Sequence, residues 1–254
     1  MALPDPTRRF SDRVENYILS RPGYPPEVLT TLSQECSLRP DSVVADIASG
    51  TGIFTRLLLE NANPVFAVEP NAEMRSAAER LLASFPNFTS VDGAAEATTL
   101  PNHSVDLVTA AQAAHWFDLP RARQEFARIL RPGGCVALIW NERLTDTTPF
   151  LRDYEDLLKT HSTDYNKVRH EHTTSAIGGF FAPIPHRERS FSYTQVFDYA
   201  GLERRLLSSS YAPLAGHPKH APMLSELRRL FDQHRHDGHI RLEYKTRLFH
   251  AQFP

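Results

Sequence analysis

Hydrophobic and polar positions follow two alternating periods between residues 43 and 141. Short apolar runs, typical of buried strands, begin at Val43, Val65, Phe88, Val105 and Cys135. The segments between most of them carry apolar residues at helical spacing, and Asn71 and Asp118 stand where helix caps are expected. Strands that alternate with helices predict a parallel sheet with helices on both faces.

Right-handed crossovers bring the carboxyl ends of such strands to one edge, where open α/β sheets bind ligands. Four polar residues follow strands at that predicted edge, namely Asp46, Glu69, Gln112 and Asn141. The edge is therefore the predicted place of the functional site.

The chain on either side of this alternation is less regular. Two helices are predicted before the first strand, one capped by Ser11 and one beginning at Pro25-Pro26. After residue 143 we expect a helix at 150–159, a His- and Thr-rich linker up to residue 179, a strand near 189–196, helices near 199–207 and 223–231, and a strand at 240–249. The last strand follows a turn at Asp237-Gly238, which suits an antiparallel edge strand.

Length and charge limit the classes of function. With 254 residues and a formal net charge of −2, the chain fits one α/β domain and has no basic surface for nucleic acid or anionic membranes. No membrane span or secretory leader is predicted, so we expect a cytoplasmic protein with a small-molecule partner, as a monomer or weak homodimer. Cys36 and Cys135 are expected to be buried thiols in a reducing cytosol.

The twelve histidines raise the question of a metal site. Closely spaced pairs and triplets occur at His170-x-His172, His217-x-x-His220 and His234-x-His236-x-x-His239. They lie in polar, Arg-rich sequence without a neighbouring cysteine pair, so surface histidines are the favoured interpretation and no metal is predicted.

A tight Gly-x-Gly turn follows the first strand and carries the main chemical signal. Gly50 and Gly52 allow backbone to approach a ligand closely, but Thr55 stands where a dinucleotide-binding motif has its third glycine. Asp46 would repel a pyrophosphate bound at the following helix, whereas it suits a sulfonium ligand with an α-ammonium group. The turn therefore favours a cationic nucleoside.

Glu69 ends the second strand, where a carboxylate can accept hydrogen bonds from both hydroxyls of a ribose. This feature supports a nucleoside without distinguishing between the two classes of cofactor. The alternative is a surface acid that leads into the helix capped by Asn71.

These residues together resemble the class I methyltransferases that use S-adenosylmethionine. The matching segments are 46–52, Glu69-Pro70-Asn71-x-x-Met74, 93–96 and the Leu130-to-Gly134 turn. The resemblance implies a Rossmann-like three-layer αβα fold with a mostly parallel seven-stranded sheet and an antiparallel last strand. It also implies a single domain over 1–254, with an N-terminal helical cap (1–40), a cofactor-binding core (41–142) and a substrate-shaping C-terminal part (143–254).

A narrower similarity, to the trans-aconitate methyltransferase-like group of type 11 methyltransferases, comes from Arg21-Pro22-x-Tyr24-Pro25, His115-to-Asp118 and Ser208-to-Pro213. It implies a small-molecule methyl acceptor with a carboxylate or hydroxyl oxygen. Two positions depart from the family pattern. Ala48 replaces a frequent glycine, and Ala94 replaces the aspartate that usually contacts adenine, a contact that the backbone at Ala95, or Glu96, is expected to take over.

The cofactor-binding residues implied by this resemblance are Tyr17, Arg21, Asp46, Ala48, Ser49, Gly50, Gly52, Glu69, Pro70, Met74, Ala95, Glu96 and Gln112. Met74 also fits core packing, and Gln112 also fits a polar strand end. His115 is either a catalytic base or a histidine fixed by neighbouring backbone, and Trp116 and Phe117 are either pocket walls or core.

Two other functions remain open at this stage. One is a nicotinamide-dependent oxidoreductase, which Asp46 and Thr55 disfavour. The other is a non-catalytic S-adenosylmethionine-binding regulatory protein, which would bind the nucleoside without transferring a methyl group.

Overall fold

The computed structural model describes residues 21–163, 165 and 179–254. The predicted helix around Tyr17 and most of the His- and Thr-rich linker lie outside these residues. The strands are β1 (Val44–Ile47), β2 (Val65–Val68), β3 (Phe88–Val91), β4 (Val105–Ala111), β5 (Leu130–Arg143), β6 (Arg187–Phe197) and β7 (Ile240–Gln252). The α-helices of the described ranges are α1 (Glu27–Glu35), α2 (Ile53–Glu60), α3 (Ala72–Leu81), α4 (Leu119–Ile129), α5 (Pro149–His161), α6 (Tyr199–Leu207) and α7 (His220–His234).

Two of the helices begin at the predicted caps. The side chain of Asn71 accepts a hydrogen bond of 2.9 Å from the amide of Met74 at the start of α3. Asp118 accepts one of 3.3 Å from the amide of Arg121 at the start of α4. Each cap satisfies an amide that has no partner within its helix, so the local sequence fixes both helix starts.

The seven strands form one sheet in the order β3-β2-β1-β4-β5-β7-β6. Strands β1 to β5 pair in parallel, and β7 is antiparallel to both β5 and β6. This confirms the predicted Rossmann-like, mostly parallel sheet with an antiparallel last strand. The chain runs outward from β1 to β3 and then returns to β4, so the order reverses between β1 and β4, where such sheets bind ligands.

Three groups of buried side chains hold the layers together. One group packs α4 and the aromatic pair Phe180 and Phe181 against one face of the sheet. A second packs α1 and α2 against the opposite face. The third joins α5, α6 and α7 to the first residues of β7. None of the described helices has the length and apolar character needed to span a bilayer.

The predicted edge position of the last strand is wrong. Strand β7 lies between β5 and β6, and its residues Leu248 to Ala251 are all buried. The edge is β6, which is largely exposed and begins with Arg187, Glu188 and Arg189. Charged side chains on an edge strand oppose pairing with another chain, which suits β6 to that place.

The prediction of two free thiols is also wrong. Cys36, at the carboxyl end of α1, and Cys135, on β5, are joined by a buried disulfide, with their Cα atoms 5.7 Å apart. They are 99 positions apart in the sequence, and only the packing of α1 on the sheet brings them together. The disulfide therefore ties α1 to the centre of the sheet.

Candidate functional site

A cleft opens where the strand order reverses between β1 and β4. Its walls come from the β1–α2 turn, the end of β4 and the segment that precedes α1. The lining residues are Arg21, Pro22, Tyr24, Asp46, Ala48, Ser49, Gly50, Thr51, Ile53, Phe54, Ala111 and Gln112. Six of the predicted cofactor-binding residues are therefore brought together, namely Arg21, Asp46, Ala48, Ser49, Gly50 and Gln112.

The two glycines of the turn have different surroundings. Both have left-handed backbone, with φ of 58° at Gly50 and 83° at Gly52. A Cβ atom added to Gly50 would meet no other atom within 4 Å, whereas one added to Gly52 would lie 2.6 Å from Cδ1 of Leu82. Gly50 thus leaves space at the cleft, while Gly52 lets the turn pack against the end of α3.

Asp46 is buried at the base of the cleft. Its Oδ2 accepts a hydrogen bond of 2.6 Å from the Thr55 hydroxyl, and its Oδ1 accepts one of 2.8 Å from the Thr109 hydroxyl. Burial raises the pKa of Asp46 to about 6, and the two hydroxyl donors only partly oppose this shift. A carboxylate that has lost its water is stabilised by a nearby cation, so this position suits a positively charged group.

Glu69 binds the backbone of the β1–α2 turn and the backbone at the start of α3. Its Oε2 accepts a hydrogen bond of 2.9 Å from the amide of Gly50, and its Oε1 accepts one of 2.8 Å from the amide of Asn71. Burial raises the pKa of this carboxyl, although both amide donors favour its charged form. Each oxygen keeps a further lone pair, so Glu69 can still accept hydrogen bonds from a ligand next to Gly50.

Within the part of the chain that the structure describes, two oxygen atoms of the cleft lining are buried without a hydrogen-bond partner. They are the hydroxyl oxygen of Thr51 and Oε1 of Gln112. Gln112 is held by its Nε2, which donates to the carbonyl of Asn141 at 3.0 Å, and its backbone is left-handed with a φ of 59°. Because an unpaired buried polar atom is costly, these two atoms mark a candidate contact for a polar ligand.

The segment 21–24 closes one side of the cleft. Arg21 donates from Nη2 to the carbonyl of Ser208 at 2.8 Å, and Nδ2 of Asn141 donates to the carbonyl of Gly23 at 2.9 Å. The oxygen of the Asn141 side chain accepts a hydrogen bond of 2.6 Å from Thr246. Residues from β5, β7 and the end of α6 thus hold this segment over the site, and we call it the cover segment.

Several predicted cofactor-binding residues do not line the cleft. Gly52 packs against α3, and Met74 is buried on α3 itself. Ala95 is in the core, and Oε1 of Glu96 accepts a hydrogen bond of 2.7 Å from the amide of Asp118. Pro70 stands between Glu69 and the cap of α3, and Tyr17 lies outside the described residues. Ligand contacts by these residues stay predictions.

His115 lies on a short 3-10 turn, Ala114–Trp116, just beyond β4. Its ring is exposed and stands 4.4 Å from the ring of Trp116 and 5.0 Å from that of Trp140, measured between centroids. Phe117 packs against the core cluster that contains Phe126. His115 is thus on the ligand side of the sheet but outside the cleft lining, and its catalytic role stays a prediction.

Several lining residues are not among the predicted cofactor-binding residues, namely Pro22, Tyr24, Thr51, Ile53, Phe54 and Ala111. Tyr24 and Phe54 meet edge to face with ring centroids 5.0 Å apart, which joins the cover segment to the first turn of α2. Thr51 lies within the predicted turn, and Ile53 and Phe54 directly follow it, so proximity in sequence was the signal available for them.

Two buried arginines lie behind the cover segment. Nη2 of Arg143 donates to Oε2 of Glu155 at 2.5 Å and to the hydroxyl of Tyr165 at 3.0 Å. Arg205 has only hydroxyl partners among the described residues. They are Tyr244 at 3.2 Å, Ser209 at 3.1 Å and Ser208 at 3.5 Å.

Among the described residues, these contacts leave the cluster with two guanidinium groups and one carboxylate. Both residues are less than a tenth exposed, yet within the part of the chain that the structure describes only Arg143 has a carboxylate partner. Ser208 connects the cluster to the cleft, because its hydroxyl faces Arg205 and its carbonyl accepts from Arg21. A buried cation without a counter-charge is expensive, and it marks a candidate binding site for an anion.

Comparison with known proteins agrees with this geometry. Residues 45–138, which include the turn, Glu69 and Gln112, match the family model of a methyltransferase domain. An uncharacterised methyltransferase of Mycobacterium tuberculosis is 41% identical over 139 residues, which make up 55% of this chain and 54% of the relative. The chain thus matches about half the length of this curated relative.

Solved structures extend the similarity in fold to most of the chain. A protein of Anaeromyxobacter dehalogenans, provisionally assigned as a type II methyltransferase, is 24% identical with a TM-score of 0.69, and the match covers 91% of this chain and 97% of that one. A phosphoethanolamine N-methyltransferase of Haemonchus contortus, solved with S-adenosyl-L-methionine, is 15% identical with a TM-score of 0.56, and the match covers 98% of this chain and 59% of that one.

The family match and the fold lead to one conclusion: residues 45–138 match the model of a methyltransferase domain, and the fold of the chain is that of solved methyltransferases.

Proposed function

We propose that this protein is an S-adenosylmethionine-dependent methyltransferase that transfers a methyl group to an oxygen of a small anionic molecule. The chemistry of the cleft is the observation that supports S-adenosylmethionine as the cofactor. It offers a buried carboxylate, a glycine that leaves space next to Glu69, and two buried oxygen atoms that have no hydrogen-bond partner among the described residues. These groups suit the ammonium, ribose and amino-acid parts of the cofactor.

Different residues of the cleft would contact different parts of the cofactor. Asp46 and Gln112 would face its cationic amino-acid end, Glu69 its ribose hydroxyls, and Gly50 its closest approach to the backbone. When bound, S-adenosylmethionine supplies an activated methyl group and its own leaving group. The protein therefore has to align the acceptor, exclude water and place charge, and it needs few reacting side chains.

Binding measurements test the choice of cofactor. Calorimetry with S-adenosylhomocysteine and with NAD compares the two nucleosides on the same protein. We expect S-adenosylhomocysteine to bind at one site per chain and NAD to bind far more weakly. Tighter binding of NAD would contradict the proposal, and binding without methyl transfer to any acceptor would favour a regulatory protein instead.

An anionic acceptor is supported by the buried arginines. Arg205 and Arg21 both contact Ser208, the first at its hydroxyl and the second at its carbonyl. No described carboxylate forms an ion pair with Arg205. A substrate carboxylate would supply the missing negative charge and accept the guanidinium N–H groups as paired hydrogen bonds. An ionised carboxylate oxygen also needs no general base at neutral pH, so this acceptor does not require His115 to act as one.

The acceptor is tested by a screen and a pair of variants. Labelled S-adenosylmethionine is offered with small carboxylic acids, phenols and amines, and we expect the acids to react. Arg205→Gln should raise the KM for the acid by about tenfold or more, as expected for losing one charge-assisted hydrogen bond. It should leave the affinity for S-adenosylhomocysteine nearly unchanged.

Two further variants separate charge from packing. Arg205→Lys keeps the charge and should restore part of the lost acceptor affinity. Arg241→Gln removes an exposed arginine of β7 and should change neither constant. Reaction with amines alone, or equal KM values for all three variants and the wild type, would refute the anionic acceptor.

A further inference from the structure

A buried cluster of two cysteines and one histidine lies at the other end of the sheet from the cleft. It consists of Cys36, Cys135 and His250, whose ligand atoms all lie within 4.8 Å of one another. Each of the three residues is at most 9% exposed. Cys135 precedes Asn141 by six positions on β5, which places the cluster about 20 Å along the strand from the residue that holds the cover segment.

His250 is oriented as a metal-binding histidine is. Its Nδ1 lies 3.6 Å from the sulfur of Cys36, and its Nε2 lies 3.1 Å from Oε2 of Glu35. Histidines that bind metals usually present one ring nitrogen to the ion and donate from the other to a carboxylate. This arrangement leaves Nδ1 free to face the two sulfurs.

Glu35 is itself held in place by two arginines of the edge strand. Arg189 donates from Nε to Oε1 at 2.8 Å, and Arg187 donates from Nη1 to Oε2 at 3.3 Å. The two arginines thus hold Glu35, and Glu35 in turn lies against the imidazole of His250, which faces the cysteines.

We propose that the reduced protein binds a soft d10 cation, with zinc as the representative, through the thiolates of Cys36 and Cys135 and Nδ1 of His250. Two thiolates and an imidazole are the ligand types that zinc prefers, and three protein ligands leave one position for water. The ion would join α1, β5 and β7 in place of the disulfide. This inference is independent of the proposed methyl transfer.

The disulfide form and the metal form are related by a balanced two-electron step. A phosphine reductant and one water molecule convert the Cys36–Cys135 disulfide to two thiols and a phosphine oxide. Binding of a divalent cation then releases the two thiol protons and forms two sulfur–metal bonds. The oxidised protein lacks thiolates and is not expected to bind the ion.

Cobalt provides the test, because thiolate ligands give bound Co²⁺ an intense charge-transfer band. The full chain is reduced with a phosphine under nitrogen, freed of reductant and titrated with Co²⁺ and then Zn²⁺, and native mass spectrometry counts the ions. We expect one Co²⁺ per chain, displaced by one equivalent of Zn²⁺, and no band in the oxidised protein.

Variants make the result specific to this cluster. His250→Gln should abolish tight binding, while the control His236→Gln, at a histidine whose side chain is 94% exposed, should bind as the wild type does. Glu35→Gln should weaken binding by about 10- to 100-fold, as is usual for the outer partner of a ligating histidine. If His250→Gln fails to fold, Glu35→Gln decides the question.

Two outcomes would overturn the proposal. One is a reduced wild-type protein that gives no cobalt band and retains no zinc, in which case the cysteines form only a disulfide. The other is equal affinity in the wild type and in the folded His250 or Glu35 variants, since metal bound in that way would not use the imidazole.

Discussion

At the scale of single residues, the two sequence features that distinguish this turn from a dinucleotide-binding turn are in contact. Asp46 argued for a cationic ligand, and Thr55 argued against a dinucleotide because it occupies the place of a third glycine. The Thr55 hydroxyl donates directly to Oδ2 of Asp46. The residue that replaces the glycine thus helps to hold the carboxylate of Asp46, so the two features belong to the same hydrogen bond.

The two glycines of the turn should respond differently to substitution by alanine. In Gly52→Ala the new Cβ meets Leu82, so we expect a loss of stability of about 2–4 kcal/mol from overpacking and left-handed strain. In Gly50→Ala only the strain remains, about 1–2 kcal/mol, but affinity for S-adenosylhomocysteine should fall at least tenfold. Urea unfolding and calorimetry measure the two effects, and the reverse ranking would show that the roles are misassigned.

Cofactor affinity should depend on pH through Asp46. Its pKa in the unligated fold, about 6, lies above the ordinary value of 3.8, so the fold binds a proton more readily than the unfolded chain. The unligated protein therefore loses stability as the pH rises from about 4 to 6, and this cost persists at higher pH. A cationic ligand favours the charged carboxylate and releases the proton, so affinity should fall below pH 6 by up to about tenfold per unit.

Calorimetry with S-adenosylhomocysteine between pH 5 and pH 8 measures this dependence. Asp46→Asn should bind more weakly at pH 7.5 and lose most of the pH dependence, because the asparagine does not titrate. A wild-type affinity that stays constant over this range would show that the ligand does not interact with the charge of Asp46.

At the scale of elements, the site depends on a segment that belongs to neither the turn nor the sheet. The cover segment is held by Asn141 at the end of β5 and by Ser208 after α6. Asn141 also supports Gln112 through its carbonyl. One residue thus positions both a wall and a polar group of the cleft.

Replacing Asn141 should therefore loosen the cleft without breaking the sheet. Asn141→Ala removes the side-chain donor to Gly23 and leaves the Thr246 hydroxyl without its acceptor, so stability should fall by about 1–3 kcal/mol. Affinity for S-adenosylhomocysteine should fall by about tenfold, which corresponds to one such hydrogen bond. Proteolysis near residues 21–24 should become faster.

The control for this variant is Asn102→Ala, which removes an exposed partner of Arg128 far from the cleft. It should leave affinity and proteolysis near residues 21–24 unchanged. Wild-type affinity in Asn141→Ala would show that the cover segment does not contribute to binding.

At the scale of the whole molecule, the core could be predicted more fully than its surroundings. The strands and helices between residues 43 and 141 follow from period and caps, because each is coded by neighbouring residues. The place of β7 could not be predicted in this way, since its inner position depends on β6, which lies more than 40 residues earlier. The same holds for Arg205, because the hydroxyl groups that are its partners among the described residues come from distant parts of the sequence or depend on packing.

By itself, the sequence determined the parallel sheet, the turn from Asp46 to Gly52 and the acid at Glu69, because these depend on residues close together in the chain. Tertiary structure alone decided the rest. It separated the roles of Gly50 and Gly52, placed the cover segment over the cleft, and joined Cys36, Cys135 and His250 across more than 200 positions. The physical reason is that contacts between distant residues are set by packing of whole elements, which no local pattern records.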